Sequence, residues 1–253
     1  MPNKSRASKK RLNHLLSELG LAESGEKAKR LIMAGLVYVN GQKCDKPGTQ
    51  VSENADIEVR ETLKYVSRGG LKLEAALDHF GLNPQHLTCL DVGASTGGFT
   101  DCLLQRGASR VFAVDVGRSQ LHYRLQNDER VINLERTHIR DLTRAQITGP
   151  IDALVIDTSF ISLTRVLPLG WMFLESGGWC VALIKPQFEA GAKNIGKGGV
   201  VRDPEIRQAC VDRVVEEARS LEHTEILGVI ESPITGPKGN IEYLLAMRRE
   251  TGT

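Results

Sequence analysis

The chain has 253 residues, 41% of them hydrophobic and 25% charged, which excludes a disordered, collagen-like or disulfide-stapled protein. This length allows one large domain or a large domain with a small companion, and no apolar run reaches the ~18 residues of a membrane-spanning helix. The formal net charge of +2 is unevenly spread: residues 1–40 hold eight basic residues against three acidic ones, an excess of five, so the other 213 residues carry a net −3. The five cysteines, Cys44, Cys89, Cys102, Cys180 and Cys210, are odd in number and lack CxxC spacing, so neither a disulfide framework nor a zinc cluster is expected. Residues 1–11 are basic with no apolar segment behind them, so no signal peptide is expected and the expected location is cytoplasmic.

Within residues 10–36, Leu12, Leu15, Leu16 and Leu19, then Ala28, Leu31 and Ile32, recur at helical spacing, broken at Gly20 and resumed at Glu23 and Ser24. This predicts two short helices, the second ended by Gly35. Residues 36–39 read as a strand entering a hairpin at Asn40-Gly41, a pair that accepts the positive φ angles of a tight turn. A second strand, 56–60, closes the module near residue 61. Lys9, Lys10, Arg11, Lys27, Lys29 and Arg30 are expected on and around the two helices, either as a solvated face or in contact with successive phosphates of a folded RNA. The ordered series Arg11-Leu12-Asn13, Leu15-Leu16, Gly20-Leu21-Ala22, Ser24, Lys27-Ala28, Leu31-Ile32, Gly35, Val37 and Val39-Asn40-Gly41 resembles the S4 RNA-binding domain. Asn13 and Gly25 depart from that pattern, where Asp and Arg are usual; the second removes one basic residue from the binding face.

Beyond residue 88, β-rich runs at 89–92, 110–116, 131–134, 151–156 and 179–184 alternate with helical stretches such as 98–105, 163–174 and 205–221. Such alternation implies a mostly parallel sheet covered by helices on both faces. Residues 225–230 and 243–247 follow with no helix between them, which predicts an antiparallel pair at one sheet edge.

Leu90 to Phe99 reads as a strand, a small-residue turn and a helix start, a geometry that admits a ligand to the backbone and favours an anion. Three chemistries compete for it. A dinucleotide site wants G-x-G-x-x-G, but Ser95 occupies the second glycine position. Gly93-x-Ser95-x-Gly97 also matches a hydrolase nucleophile elbow, with Asp157 and His223 following in the expected order, although Asp91 would set a carboxylate beside the nucleophile and no HGGG-type segment precedes it. The third is an S-adenosyl-L-methionine site, with Asp115 at the next strand end accepting from the ribose hydroxyls. An acidic residue about 20 positions on serves NAD equally well, so the turn alone leaves the cofactor open.

Four charged residues stand where a core pattern would not put them. Lys72 opens an amphipathic helix (Leu71, Ala75, Leu77, Phe80), where the helix dipole disfavours a cation. Asp157 and Lys185 each end an apolar strand on the side where parallel sheets bind ligands, and adjacent strands would bring them to one crevice. Glu242 follows a turn-rich segment at the start of a strand. On their motifs, Lys72, Asp157, Lys185 and Glu242 resemble the Lys-Asp-Lys-Glu tetrad of FtsJ-like ribose 2′-O-methyltransferases. With its SRGGLKL, DVGASTGGFTD, ERTHIR, DTSFISL, IKPQFE and SPITGPKGNIEYLL segments, the chain resembles the TlyA (hemolysin A-type) family of ribosomal RNA methyltransferases nearly end to end. His138 departs from it, where Asn is more usual.

The resemblance implies an α/β fold, a Rossmann-like class I methyltransferase with a seven-stranded, mostly parallel sheet and a small N-terminal α+β S4 domain. The expected boundaries are 1–60 for the S4 domain, 61–66 for a linker and 67–253 for the methyltransferase. It implies S-adenosyl-L-methionine held by Asp91, Gly93, Ser95, Gly97, Gly98, Phe99, Asp115, His138 and Asp157, and methylation of a cytidine ribose in ribosomal RNA. A ribose hydroxyl is a poor acid, and a lysine takes its proton only when neutral, which a nearby cation favours. The implied base is Lys185, with Lys72 as that cation and Asp157 and Glu242 orienting the amines and the substrate. Arg68, and Lys193 and Lys197 in the glycine-rich segment 191–202, join the expected RNA contacts, the segment as a basic flap or as a plain surface loop. With aromatics at 5% of residues, RNA binding is expected to rest on phosphates, with at most Phe160 or Phe188 stacking a base. The expected partners are ribosomal RNA and ribosomal subunits, with no membrane, no metal and a monomeric enzyme; the competing reading is a non-catalytic S4-type ribosome-assembly factor.

Overall fold

The computed structural model describes residues 8–59 and 64–251. The chain divides into two compact units, 1–63 and 64–253. Lys4, Arg6, Arg60 and positions 61–63 of the expected linker lie outside the described residues.

In the first unit, β1 (Lys9–Arg11) runs into α1 (Leu12–Glu18), followed by α2 (Gly25–Met33), β2 (Val37–Val39), β3 (Gln42–Cys44), β4 (Gln50–Ser52) and β5 (Ile57–Val59). Ser24 caps α2 by accepting from the Lys27 N–H at 3.2 Å, satisfying one of the donors a helix start leaves free. Gly35 ends α2 in the left-handed region: its N–H bonds to Ile32 O and the next N–H to Leu31 O, the pairing that closes a helix with glycine after its last residue. Asn40 and Gly41, at φ 50° and 76°, make the tight turn between β2 and β3, and β5 pairs with the other edge of β2. The core is Leu12, Leu15, Leu16, Ala28, Ile32, Val37 and Val51; Leu19, expected in it, caps α1 and is 51% exposed. The antiparallel pair β1 with β4 has no counterpart in the sequence reading, because three-residue strands are too short to display a period of two. Lys9, Lys10 and Arg11 therefore lie on a strand ahead of α1.

The second unit contains α3 (Gly69–Phe80), β6 (Thr88–Val92), α4 (Gly98–Gln105), β7 (Arg110–Asp115), α5 (Tyr123–Gln126), β8 (Val131–Glu135), β9 (Ile151–Ile156), α6 (Leu163–Trp171), β10 (Leu174–Ile184), α7 (Pro186–Glu189), α8 (Pro204–Ser220), β11 (Thr224–Glu231) and β12 (Tyr243–Arg249). Seven strands form one sheet in the order β11-β12-β10-β9-β6-β7-β8, parallel except for β12, which is antiparallel to both neighbours. Alternate strand residues feed two cores. Leu90, Val92, Phe112, Leu154, Ile156 and Ile184 pack with α6 and α8, and Cys89, Val111, Ala113, Val155 and Val181 pack with α3 and α4. Burial on both faces makes 111–114, 153–156 and 179–184 read as continuous apolar runs, whereas Asp91 interrupts β6. The structure departs from the expected bounds at 163–174: α6 stops at Trp171 and the chain enters β10 at Leu174, five residues early, through an irregularity between Leu174 and Trp179 that contains Gly177 at φ 82°.

Candidate active site

From β6 the chain passes to β7 and β8 on one side, while β9 and β10 lie on the other, so a crevice opens over the C-terminal ends of β6 and β9. The glycine turn between β6 and α4 forms its floor. Gly93 has φ 85°, and a Cβ there would fall 2.5 Å from the Asp157 carbonyl oxygen, so β6 and β9 approach closely only with glycine at this position. Ser95 also takes a positive φ, and its N–H donates to Asp115 Oδ2 at 2.8 Å while the Gly117 N–H donates to Oδ1 at 2.7 Å. These two donors fix the carboxylate at the end of β7. His138 Nδ1 accepts from the Arg140 N–H at 3.1 Å and opens a short turn, Ile139–Asp141. A cavity of about 520 Å³ runs between Asp115, Val116, His138, Ile139, Phe160 and Ile161. Its lining combines the carboxylates of Asp115 and Asp157 with apolar side chains.

A second cavity, of about 280 Å³, shares Gly93, Ser95 and Asp157 with the first and is lined by Lys72, Lys185, Glu242 and exposed Arg68. The sequence leaves open which lysine meets which carboxylate. Lys72 Nζ reaches Glu242 Oε2 at 2.5 Å, and Lys185 Nζ reaches Asp157 Oδ1 at 2.5 Å. Glu242 is 0% exposed, Lys72 8% and Lys185 9%, so each charge is withdrawn from water only beside an opposite one. The Lys72 pairing also answers the unfavourable dipole at the start of α3, whose buried face is Leu73, Ala76 and Leu77 with Leu71 and Ala75 half-buried.

Three further polar side chains complete the arrangement, and the sequence reading missed them. Ser159 Oγ accepts from Lys185 Nζ at 3.0 Å, and Gln187 Nε2 donates to Glu242 Oε1 at 3.1 Å. Buried Asn240 accepts from the Val201 N–H at 3.1 Å and donates to the Gly199 carbonyl at 3.0 Å, tying segment 191–202 to the turn before Glu242. Each stands two positions from one of the four charged residues, which was the available signal.

Asp91, beneath the turn, and Gly97, at its end, line neither cavity. Asp91 is 0% exposed; burial pushes its carboxyl up to about 7, the hydrogen bond from Thr100 Oγ1 at 2.6 Å acts against this, and the Asp157 charge adds to it. Gly98 and Phe99 line the second cavity, and Lys193 and Lys197 are exposed. Phe160 is 90% exposed at φ 65°, its ring 5.2 Å from that of Phe188. In the first unit Lys9, Arg11, Lys27 and Arg30 are exposed, Lys10 pairs with Glu18 at 2.6 Å and Glu53 at 2.9 Å, and Lys29 pairs with Glu26 at 2.8 Å. His223 precedes β11, which runs parallel to β10, so it lies at the edge where the parallel strands begin, opposite Ser95 and Asp157. The hydrolase geometry is thereby excluded.

Residues 65–249 match the model of the FtsJ-like methyltransferases, and residues 10–57 match the S4 domain. The chain belongs to the FtsJ-like methyltransferase family. This FtsJ-like methyltransferase is 49% identical over 239 residues to YqxC of Bacillus subtilis, a candidate rRNA methyltransferase, covering 94% of this chain and 85% of that one. It is 44% identical over 247 residues to TlyA of Mycobacterium tuberculosis, a 16S/23S rRNA (cytidine-2′-O)-methyltransferase, covering 97% and 92%. Among solved structures, a candidate hemolysin from Streptococcus thermophilus superposes with a TM-score of 0.71 at 42% identity, over 98% of this chain and 90% of that one. Among the described residues, no helix of this FtsJ-like methyltransferase is long and apolar enough to cross a membrane.

Proposed function

We propose that this enzyme transfers a methyl group from S-adenosyl-L-methionine to the ribose 2′-hydroxyl of a cytidine in ribosomal RNA; its M. tuberculosis relative is named for rRNA cytidine 2′-O-methylation. One observation carries the reading: two lysine–carboxylate pairs, one of them with both partners buried, face a cavity that adjoins, through Gly93, Ser95 and Asp157, a slot suited to a nucleoside. That slot fits the adenosyl group, with Asp115 for the ribose hydroxyls, Val116, Ile139 and Ile161 as apolar walls, and His138 and Phe160 at its rim. The glycine turn and the start of α4 would receive the methionyl carboxylate. Bound there, the cofactor supplies a methyl group activated by a sulfonium.

The chain's own part is to hold the 2′-hydroxyl in line and take its proton. A neutral amine has two N–H groups and one lone pair. Lys185 Nζ donates to Ser159 Oγ and lies 2.5 Å from Asp157 Oδ1, contacts that hold the amine in place; in its neutral form its lone pair takes the hydroxyl proton. Lys72 and Gln187 hold the two oxygens of Glu242, so this carboxylate keeps one orientation toward the incoming ribose. Phe160, exposed and beside Phe188, stacks the base, while Arg68, Lys193, Lys197 and the basic residues of the S4 unit contact phosphates.

Lys185→Ala tests the assignment. The variant is expected to bind S-adenosyl-L-methionine by calorimetry with near-normal affinity and to lose methyl transfer to ribosomal subunits. Full transfer by the variant would remove Lys185 from the base role.

A further inference from the structure

Asp91 is buried beneath the glycine turn in a distinctive electrostatic position. It pairs in register with Ala113 of β7 and Val155 of β9; Asp115 follows two residues further along β7 on the same face, and Asp157 stands just past the end of β9, close enough for its charge to act on Asp91. Three carboxylates thus converge under the cofactor turn. Lys185 Nζ stands 2.5 Å from Asp157 Oδ1, and two backbone N–H groups hold Asp115. Asp91 has only the Thr100 hydroxyl on Oδ2; its Oδ1 is buried without a partner, and none of the ion pairs among the described residues includes it. The groups facing it are Asp115 from β7, Asp157 beyond β9, the Cys89 thiol on its own strand and Thr100 from α4. Asp101, the next residue of α4, is turned instead to the Val66 N–H and Gln105.

We propose that Asp91 is a positioning residue that discriminates the charge of the bound cofactor, keeping its proton while no cationic ligand occupies the cleft and ionising when a sulfonium does. This rests on the S-adenosyl-L-methionine assignment above. Binding the cationic donor then releases one proton to solvent. When methyl transfer converts the sulfonium to a neutral thioether, the cleft loses one positive charge and Asp91 regains a proton from solvent. The carboxyl lies in low dielectric with no compensating cation, so a positive charge arriving nearby acts on it with little screening, and its upward shift leaves it poised to respond at neutral pH.

Isothermal titration of the full-length protein in phosphate and in Tris, whose ionisation enthalpies differ, counts the protons. With S-adenosyl-L-methionine the expected release is close to one proton at about pH 6, declining to none above about pH 8, with affinity falling about tenfold per pH unit below the transition. S-adenosylhomocysteine is expected to release few or none. In Asp91→Asn the release disappears while binding persists. In Thr100→Val, which removes the hydroxyl that favours the ionised form, the transition moves to higher pH; this variant carries the test if Asp91→Asn does not fold. Binding of the donor with no buffer dependence in the wild-type protein, or undiminished release in Asp91→Asn, would overturn the proposal. A complete lack of binding heat would instead overturn the cofactor assignment on which it stands.

Discussion

Glu242 has no solvent to accommodate an error in its position, and Gly236 is the residue that leaves room for it: a Cβ on Gly236 would meet the Glu242 carboxylate. Gly236→Ala should turn this carboxylate away from Lys72 and lower kcat by roughly tenfold or more, about 1.4 kcal/mol of activation free energy, with cofactor affinity unchanged by calorimetry. Asp91 carries a pH signature of its own. Its carboxyl titrates near 7 when folded against an ordinary value of 3.8, so the folded state keeps a proton that the unfolded chain gives up between those values. That contribution is complete below about pH 3.8 and is lost as pH rises through about 7. Asp91→Asn removes the dependence, and thermal melts at pH 5 and pH 8 should show the variant gaining Tm relative to wild type at the higher pH. The four charged residues were legible because each breaks an apolar pattern. Their pairing was not, since spacing in a chain says nothing about which side chains meet across 170 residues, as Lys72 and Glu242 do.

At the scale of elements, what could be read depended on length and burial. The β7 and β9 strands stood out because burial on both faces makes Val111–Val114 and Ala153–Ile156 unbroken apolar runs closed by a carboxylate. The end of α6 did not, since Trp171, Met172, Phe173 and Leu174 continue an apolar pattern through the point where the helix stops. The β1 and β4 strands were invisible for the opposite reason, having three residues each. Segment 191–202, expected as a basic flap or a plain loop, is anchored at Gly199 and Val201 by Asn240, a tie across the fold that composition does not display. Asn240→Ala should leave Asn240's partners, including a buried Val201 N–H, unsatisfied and cost about 1–3 kcal/mol of stability in urea unfolding. Protection of 191–202 from protease should fall in the same variant.

The whole chain joins a basic S4 unit to a methyltransferase unit that is close to neutral, so the net charge of +2 conceals where the basic residues lie. Lys9, Arg11, Lys27 and Arg30 are exposed in the S4 unit, and replacing them with alanine should flatten the salt dependence of RNA binding by about 0.7 to 0.9 in log K per log salt for each phosphate left without its basic side chain. Cofactor binding should not change. Ribose methylation of ribosomal RNA is tested most directly by incubating the enzyme with isotopically labelled S-adenosyl-L-methionine and purified small subunits, large subunits or intact ribosomes, then digesting the RNA to nucleosides. Label is expected in 2′-O-methylcytidine with the wild-type protein and nowhere with Lys185→Ala; label on a base, or no label in any ribosomal RNA, would contradict the assigned reaction.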